Sequence, residues 1–145
     1  MESNNLHVRQ MTFYSKTRRL SPQKWWWWPI SWAILLFIAS SIPGTAYPEV
    51  SLQYADKLVH MAIYGALGGL LALAARMTRA WRSGVVWLFA VGVATVYGGT
   101  DEFHQLFVPN RSADLRDLLA DMIGAGIGAA VVLLLTRRRP STQRV

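Results

Sequence analysis

Residues 114–139 read DLRDLLADMIGAGIGAAVVLLLTRRR. Between Leu118 and Leu135 only Asp121 carries charge, and the run has about 18 residues, near the lower limit of the ~17–25 that cross a bilayer. Arg137, Arg138 and Arg139 close it. Asp117, Asp121, Gly124 and Gly128 recur at i, i+4, i+7 and i+11, which places them on one stripe of a helix. Gly124 and Gly128 form a GxxxG pattern, which lets a second helix approach closely. The stripe is therefore a packing face with two acids at its outer end. Asp114 suits an N-cap, and Asp117 in the first turn suits the helix dipole. For Asp117 capping and function are equal readings, whereas Asp121 lies a turn too deep for capping to explain it.

Three further segments resemble this one in composition. Trp25 to Ile42, Leu58 to Ala75 and Gly84 to Thr100 are almost free of charge. A soluble bundle would interleave polar residues at helical spacing, and these segments do not. The expected architecture is an all-α membrane protein, a bundle of four transmembrane helices. The domain spans 25–136, between basic tails at 1–24 and 137–145. Trp25 to Trp28 suit the headgroup layer at the start of the first span. A secretory signal ending near Thr45 and Ala46 is the lesser alternative.

Positive charge sets the expected orientation. The N-terminal tail, the 76–83 loop and the C-terminal tail hold 12 of the 15 Lys and Arg residues. Alternating spans put all three on one side, so both termini are expected in the cytoplasm and the 43–57 and 107–116 loops outside. The net charge of +7 is thereby explained by topology and anionic lipid, and nucleic acid is not expected as a partner. The absence of cysteine excludes disulfide and thiolate chemistry.

The same topology gathers ionisable residues. His60 lies 16 residues before Arg76, and Asp121 lies 16 before Arg137, each ~24 Å from the cytoplasmic boundary at 1.5 Å per residue. Asp101, 19 residues after Arg82, lies ~28 Å from it. Three segments thus bring acids and histidine to one layer at the extracytoplasmic side. Charge beside the hydrocarbon is costly, so such a layer is a candidate site.

On the third span Tyr97, Gly98, Asp101, Glu102, His104 and Gln105 share one side, and Val96, Gly99, Phe103 and Leu106 the other. The polar side should face the bundle, although a helix end fraying into water would also tolerate it. On the second span Asp56, His60, Tyr64, Leu67 and Leu71 share a face. Gly65 and Gly69 form another GxxxG on a different face, expected to pack a second neighbour or a second copy of the chain. Lys57 reads as an interfacial residue. Arg111 either neutralises Asp101, Glu102 or Asp117 or binds an anionic headgroup. No GxSxG, HExxH or Walker pattern appears. Acids and histidine together can hold a divalent ion, but the spacing is no recognised ligand motif, so neither metal nor another cofactor is expected.

Three motifs in order carry a family resemblance: Asp56-Lys57-x-x-His60-x-x-x-Tyr64-Gly65, Asp101-Glu102-x-His104-Gln105-x-Phe107-x-Pro109-x-Arg111, and Asp117-x-x-x-Asp121-x-x-Gly124-x-x-x-Gly128. Over roughly residues 40 to 130 they resemble the VanZ-like membrane proteins of bacteria. The resemblance implies a small multi-pass protein of the bacterial plasma membrane. It also implies a link to teicoplanin tolerance, with Asp56, Lys57, His60, Tyr64, Glu102, Gln105, Arg111 and Asp117 as characteristic positions. Asp121 departs from the family, which commonly has Asn there, and adds a negative charge.

The leading functional expectation is an envelope protein that binds a lipid-linked or glycopeptide-related headgroup at the outer leaflet. Asp56, Lys57, His60, Tyr64, Asp101, Glu102, Gln105, Arg111, Asp117 and Asp121 would form the site. The second is an intramembrane hydrolase or transferase, with Glu102 or Asp117 as general base and His60 or His104 as acid or orienting partner. The third is a structural subunit of a membrane complex. A proton-coupled transporter ranks below these, because no acid lies at mid-membrane and no inverted repeat is visible.

Overall fold

The structure, a computed structural model, describes residues 21–46 and 55–137. Four α-helices are found there: α1 (Trp27–Ser40), α2 (Ala55–Thr78), α3 (Ser83–Gln105) and α4 (Leu115–Leu135). Most of the basic N-terminal tail, Glu49, Arg138 and Arg139 lie outside the described residues.

α2, α3 and α4 are each long and apolar enough to cross a membrane. α1 is shorter than the first apolar segment suggests. Trp25 and Trp26 belong to a 3-10 turn, Pro22–Trp26, and only 14 residues continue as α-helix. At 1.5 Å per residue that is ~21 Å, less than the ~30 Å of a hydrocarbon core. Trp27 and Trp28 stand exposed at its start.

α2 and α4 run parallel and define the centre, because glycine lets their backbones meet. A Cβ on Gly124 would strike the Met61 carbonyl oxygen, and one on Gly128 the Gly65 carbonyl oxygen. From the other side, a Cβ on Gly65 would come 3.3 Å from the Gly124 carbonyl, and one on Gly69 3.4 Å from that of Gly128. The expectation that Gly65 and Gly69 pack a second neighbour is therefore corrected. The two glycine patterns pack against each other within one chain.

α3 packs antiparallel against this pair, burying Val86, Ala90, Ala94 and Gly98. Side-chain donors tie the helices through carbonyls: Trp32 Nε1 to Ile63 O at 2.9 Å, Trp87 Nε1 to Gly126 O at 2.9 Å, and Tyr97 Oη to Ala33 O at 2.5 Å. Such bonds help associate helices where water supplies no hydrophobic drive. The outer surface carries Val96, Phe103, Leu106, Ile127, Leu134 and Leu135 as exposed apolar residues. A broad apolar rim of this kind suits lipid rather than water.

One end of the bundle gathers the last turn of α1, the start of α2, the end of α3 and the start of α4. Gly44 N–H donates to Pro109 O at 3.1 Å there, joining the two connecting segments. Asn110 holds φ at 58°, the left-handed conformation that Asn tolerates, and turns the chain toward α4. Asp114 caps α4, accepting from Arg116 N–H at 2.9 Å.

A charged layer at one end of the bundle

The layer is built by helix starts and ends. His60 stands on the second turn of α2, Glu102 on the last turn of α3, and Asp117 and Asp121 on the first two turns of α4. Its centre is a pair between helices, His60 Nδ1 and Asp121 Oδ1, 2.9 Å apart. Asp121 is only 1% exposed, so this carboxylate is fully inside the protein. The His60 ring lies parallel to that of Tyr64, centroids 6.3 Å apart.

Lys57 neutralises the rim of the layer. Its Nζ donates to Asp117 Oδ1, to Asp114 Oδ2 at 2.9 Å and to Asp56 Oδ2 at 3.0 Å. Asp117 is thus paired with Lys57. Spacing along the chain made Lys57 look merely interfacial, because its partners come from α4. Arg111 lies half-buried, with Nε 3.5 Å from Ile42 O at the end of α1. The Lys57 ammonium beside the Asp114 carboxylate, together with the Arg116 backbone bond, holds that carboxyl below the usual range.

Glu102 is buried and joins the layer to the α3–α4 connection. Its Oε2 accepts from Asp114 N–H at 2.7 Å, while Oε1 is buried with no hydrogen-bond partner. Asp101 Oδ2 accepts from Gln105 Nε2 at 3.2 Å, and its Oδ1 is also unpartnered. Among the described residues, Tyr64 Oη and Asp121 Oδ2 complete the unpartnered atoms of the layer. Buried polar atoms are normally satisfied, so four such atoms at one end of a bundle mark a special environment.

The expected polar side of α3 divides in two. Gly98, Asp101, Glu102 and Gln105 are buried in the bundle, whereas Val96, Phe103 and Leu106 are exposed. His104 turns instead to α1, where Nε2 lies 3.0 Å from Ser41 Oγ and the ring stacks on Phe37 at 4.7 Å. It stands on a different side of α3 from the Glu102 carboxylate. Asp56 remains exposed at the mouth of the layer. Asp114 is the member that sequence reasoning assigned only to capping. It both pairs with Lys57 and presents its N–H to Glu102. No motif spacing signals this, because the three residues belong to three elements. Gly98 is a second such residue: a Cβ there would come 2.9 Å from Asp121 Oδ2, so a larger residue would require the buried acid to shift.

His60, Glu102 and Asp117 bring one nitrogen and two carboxylate ligand atoms within 4.8 Å of one another. They come from three helices, so no linear motif could have shown the group.

A family model described as VanZ/LLP1 matches residues 2–136. The chain belongs to this family. No curated protein and no solved structure matches it. Membership in the VanZ/LLP1 family and three membrane-length apolar helices together make this an integral membrane protein of that family.

Proposed function

We propose that this VanZ/LLP1 chain is a four-span protein of the bacterial plasma membrane with both termini in the cytoplasm. It binds the anionic headgroup of a lipid-linked or glycopeptide-related ligand at the outer leaflet and so contributes to teicoplanin tolerance. The observation that carries this reading is the buried layer itself. Lys57, His60, Glu102, Asp117 and Asp121 converge at one end of a membrane domain, where charge is costly unless it is used. In this reading the acids hold Lys57 in place and Arg111 at the rim meets the headgroup. α1 completes the fourth span with the help of the preceding turn, its tryptophans at the headgroup level.

The test is teicoplanin susceptibility in a sensitive Gram-positive host carrying wild type, Glu102→Gln or an empty vector, with membrane protein levels measured in parallel. Protection by wild type but not by an equally abundant variant is expected. Equal susceptibility of all three, with both proteins present, would overturn the reading.

A second reading is favoured by the His60–Asp121 pair. A carboxylate that orients an imidazole is an arrangement used for general acid–base work. An intramembrane hydrolase acting on a lipid-linked substrate would use His60 in this way, with Glu102 as the second group.

A further inference from the structure

The charge balance of the layer is uneven. Asp56, Asp101, Glu102, Asp114, Asp117 and Asp121 stand against Lys57, Arg111 and Arg116, with His60 as a fourth cation only when protonated. Lys57 is shared by three carboxylates, and none of them is Glu102. A buried acid beside other acids is stabilised by a proton or by a further positive charge.

We infer that His60, Glu102 and Asp117 form a binding site for one divalent metal ion, with Asp121 as the residue that orients the histidine. The inference rests on the reading of this layer as a functional site and names its cofactor.

Three observations support it. First, the ligand atoms lie within 4.8 Å of one another, so a point between them is at most roughly 2.8 Å from each, and small side-chain rotations bring this to the ~2.0–2.6 Å of metal–ligand bonds. Second, Glu102 Oε1 is a buried carboxylate oxygen without a hydrogen-bond partner, on a side chain only 7% exposed. Its sister oxygen is anchored by Asp114 N–H, which fixes the carboxylate in the layer. Third, His60 Nδ1 is engaged by Asp121, so an ion held by this histidine together with that carboxylate would take Nε2. Metal-bound histidines commonly carry such a carboxylate on the other ring nitrogen, where it sets tautomer and orientation. One nitrogen and two carboxylate oxygens suit manganese or zinc, with further positions free for ligand oxygens. An ion there would present positive charge to a phosphate or carboxylate headgroup at a site otherwise dominated by acids.

The experiment uses the full-length chain without an affinity tag, stripped with chelator in phosphatidylcholine nanodiscs, and titrated with Mn²⁺ by electron paramagnetic resonance. Wild type is expected to bind one Mn²⁺ per chain with histidine-nitrogen coupling in the echo-modulation spectrum. His60→Ala, Glu102→Gln and Asp117→Asn should each weaken binding by about tenfold or more. The chain has three histidines, His7, His60 and His104. A His7→Ala/His104→Ala double variant should therefore keep both the stoichiometry and the nitrogen coupling, and this variant decides the question even where a site variant fails to fold. Mn²⁺ binding by wild type no stronger than by a folded Glu102→Gln variant would overturn the inference. So would loss of the nitrogen coupling in the His7/His104 double variant. Phosphatidylcholine carries no net negative charge, so this result stands apart from headgroup binding. Metal binding without teicoplanin protection would fail the proposed function alone, and protection without metal binding would fail this inference alone.

Discussion

His60 on α2 and Asp121 on α4 meet at 2.9 Å, and neither could reach a partner of this kind without the parallel glycine contact below them. Met61 and Gly65 touch Gly124 and Gly128 directly, which sets the register of the two helices one turn from the pair. The packing face and the site are therefore one structure. Asp121→Ala leaves the His60 nitrogen buried without its acceptor and should cost about 1–3 kcal/mol. Asp121→Asn keeps a hydrogen-bonding oxygen and should cost less. Unfolding of the two variants by SDS titration in mixed micelles checks the order, and equal loss in both would show that charge rather than the hydrogen bond matters.

The glycine contact predicts a position-specific response to one methyl group. Gly128→Ala and Gly124→Ala place Cβ into a carbonyl of α2, so the helices must separate, at roughly 1–3 kcal/mol or more. Gly92→Ala meets nothing within 4 Å and should be neutral or stabilising by up to about 1 kcal/mol. Thermal unfolding in detergent separates the two classes, and equal effects at Gly92 and Gly128 would contradict the packing.

Lys57 bridges Asp117 of α4 to the start of α2. Lys57→Met strands the buried Asp117 carboxylate and should lower stability by about 3 kcal/mol. The double variant Lys57→Met/Asp117→Leu removes both charges and should recover most of the loss. A double-mutant cycle reads this directly, and additivity of the two single effects would remove the ion pair from the account.

Asp114 supplies a pH dependence with a defined sign. Its carboxyl is held below its ordinary value of 3.8 by Lys57 and by the Arg116 backbone bond. The stabilisation it gives is complete above that ordinary value and is lost as pH falls through the lower folded value. Wild type should therefore exceed Asp114→Ala in stability at neutral pH, and the gap should close as pH drops below about 4. A gap that does not narrow as pH falls would assign the effect to something other than the ionised carboxylate.

The topology can be read with introduced thiols, because the chain has no cysteine of its own. Ser112 and Ser83 are both exposed, at opposite ends of α3. In intact cells Ser112→Cys should react with a membrane-impermeant maleimide, and Ser83→Cys should react only after lysis. The reverse pattern would invert the bundle and place the charged layer in the cytoplasm.

Much of this protein is legible in its residues. Apolar runs of membrane length give α2, α3 and α4, because backbone groups in lipid must bond within their own helix. The helical period separates buried Asp101, Glu102 and Gln105 from exposed Val96, Phe103 and Leu106, since faces follow directly from 100° per residue. The Asp117–Asp121–Gly124–Gly128 stripe likewise announces a packing face. Tertiary structure alone decided the partners. The two glycine stripes face each other, Lys57 takes Asp117, His104 leaves the layer for Ser41, and the first apolar segment yields only 14 residues of α-helix. Sequence spacing fixes which residues share a face of one helix. Which faces meet, and at what register, depends on how closely two backbones can approach, a property of the assembled pair rather than of either segment.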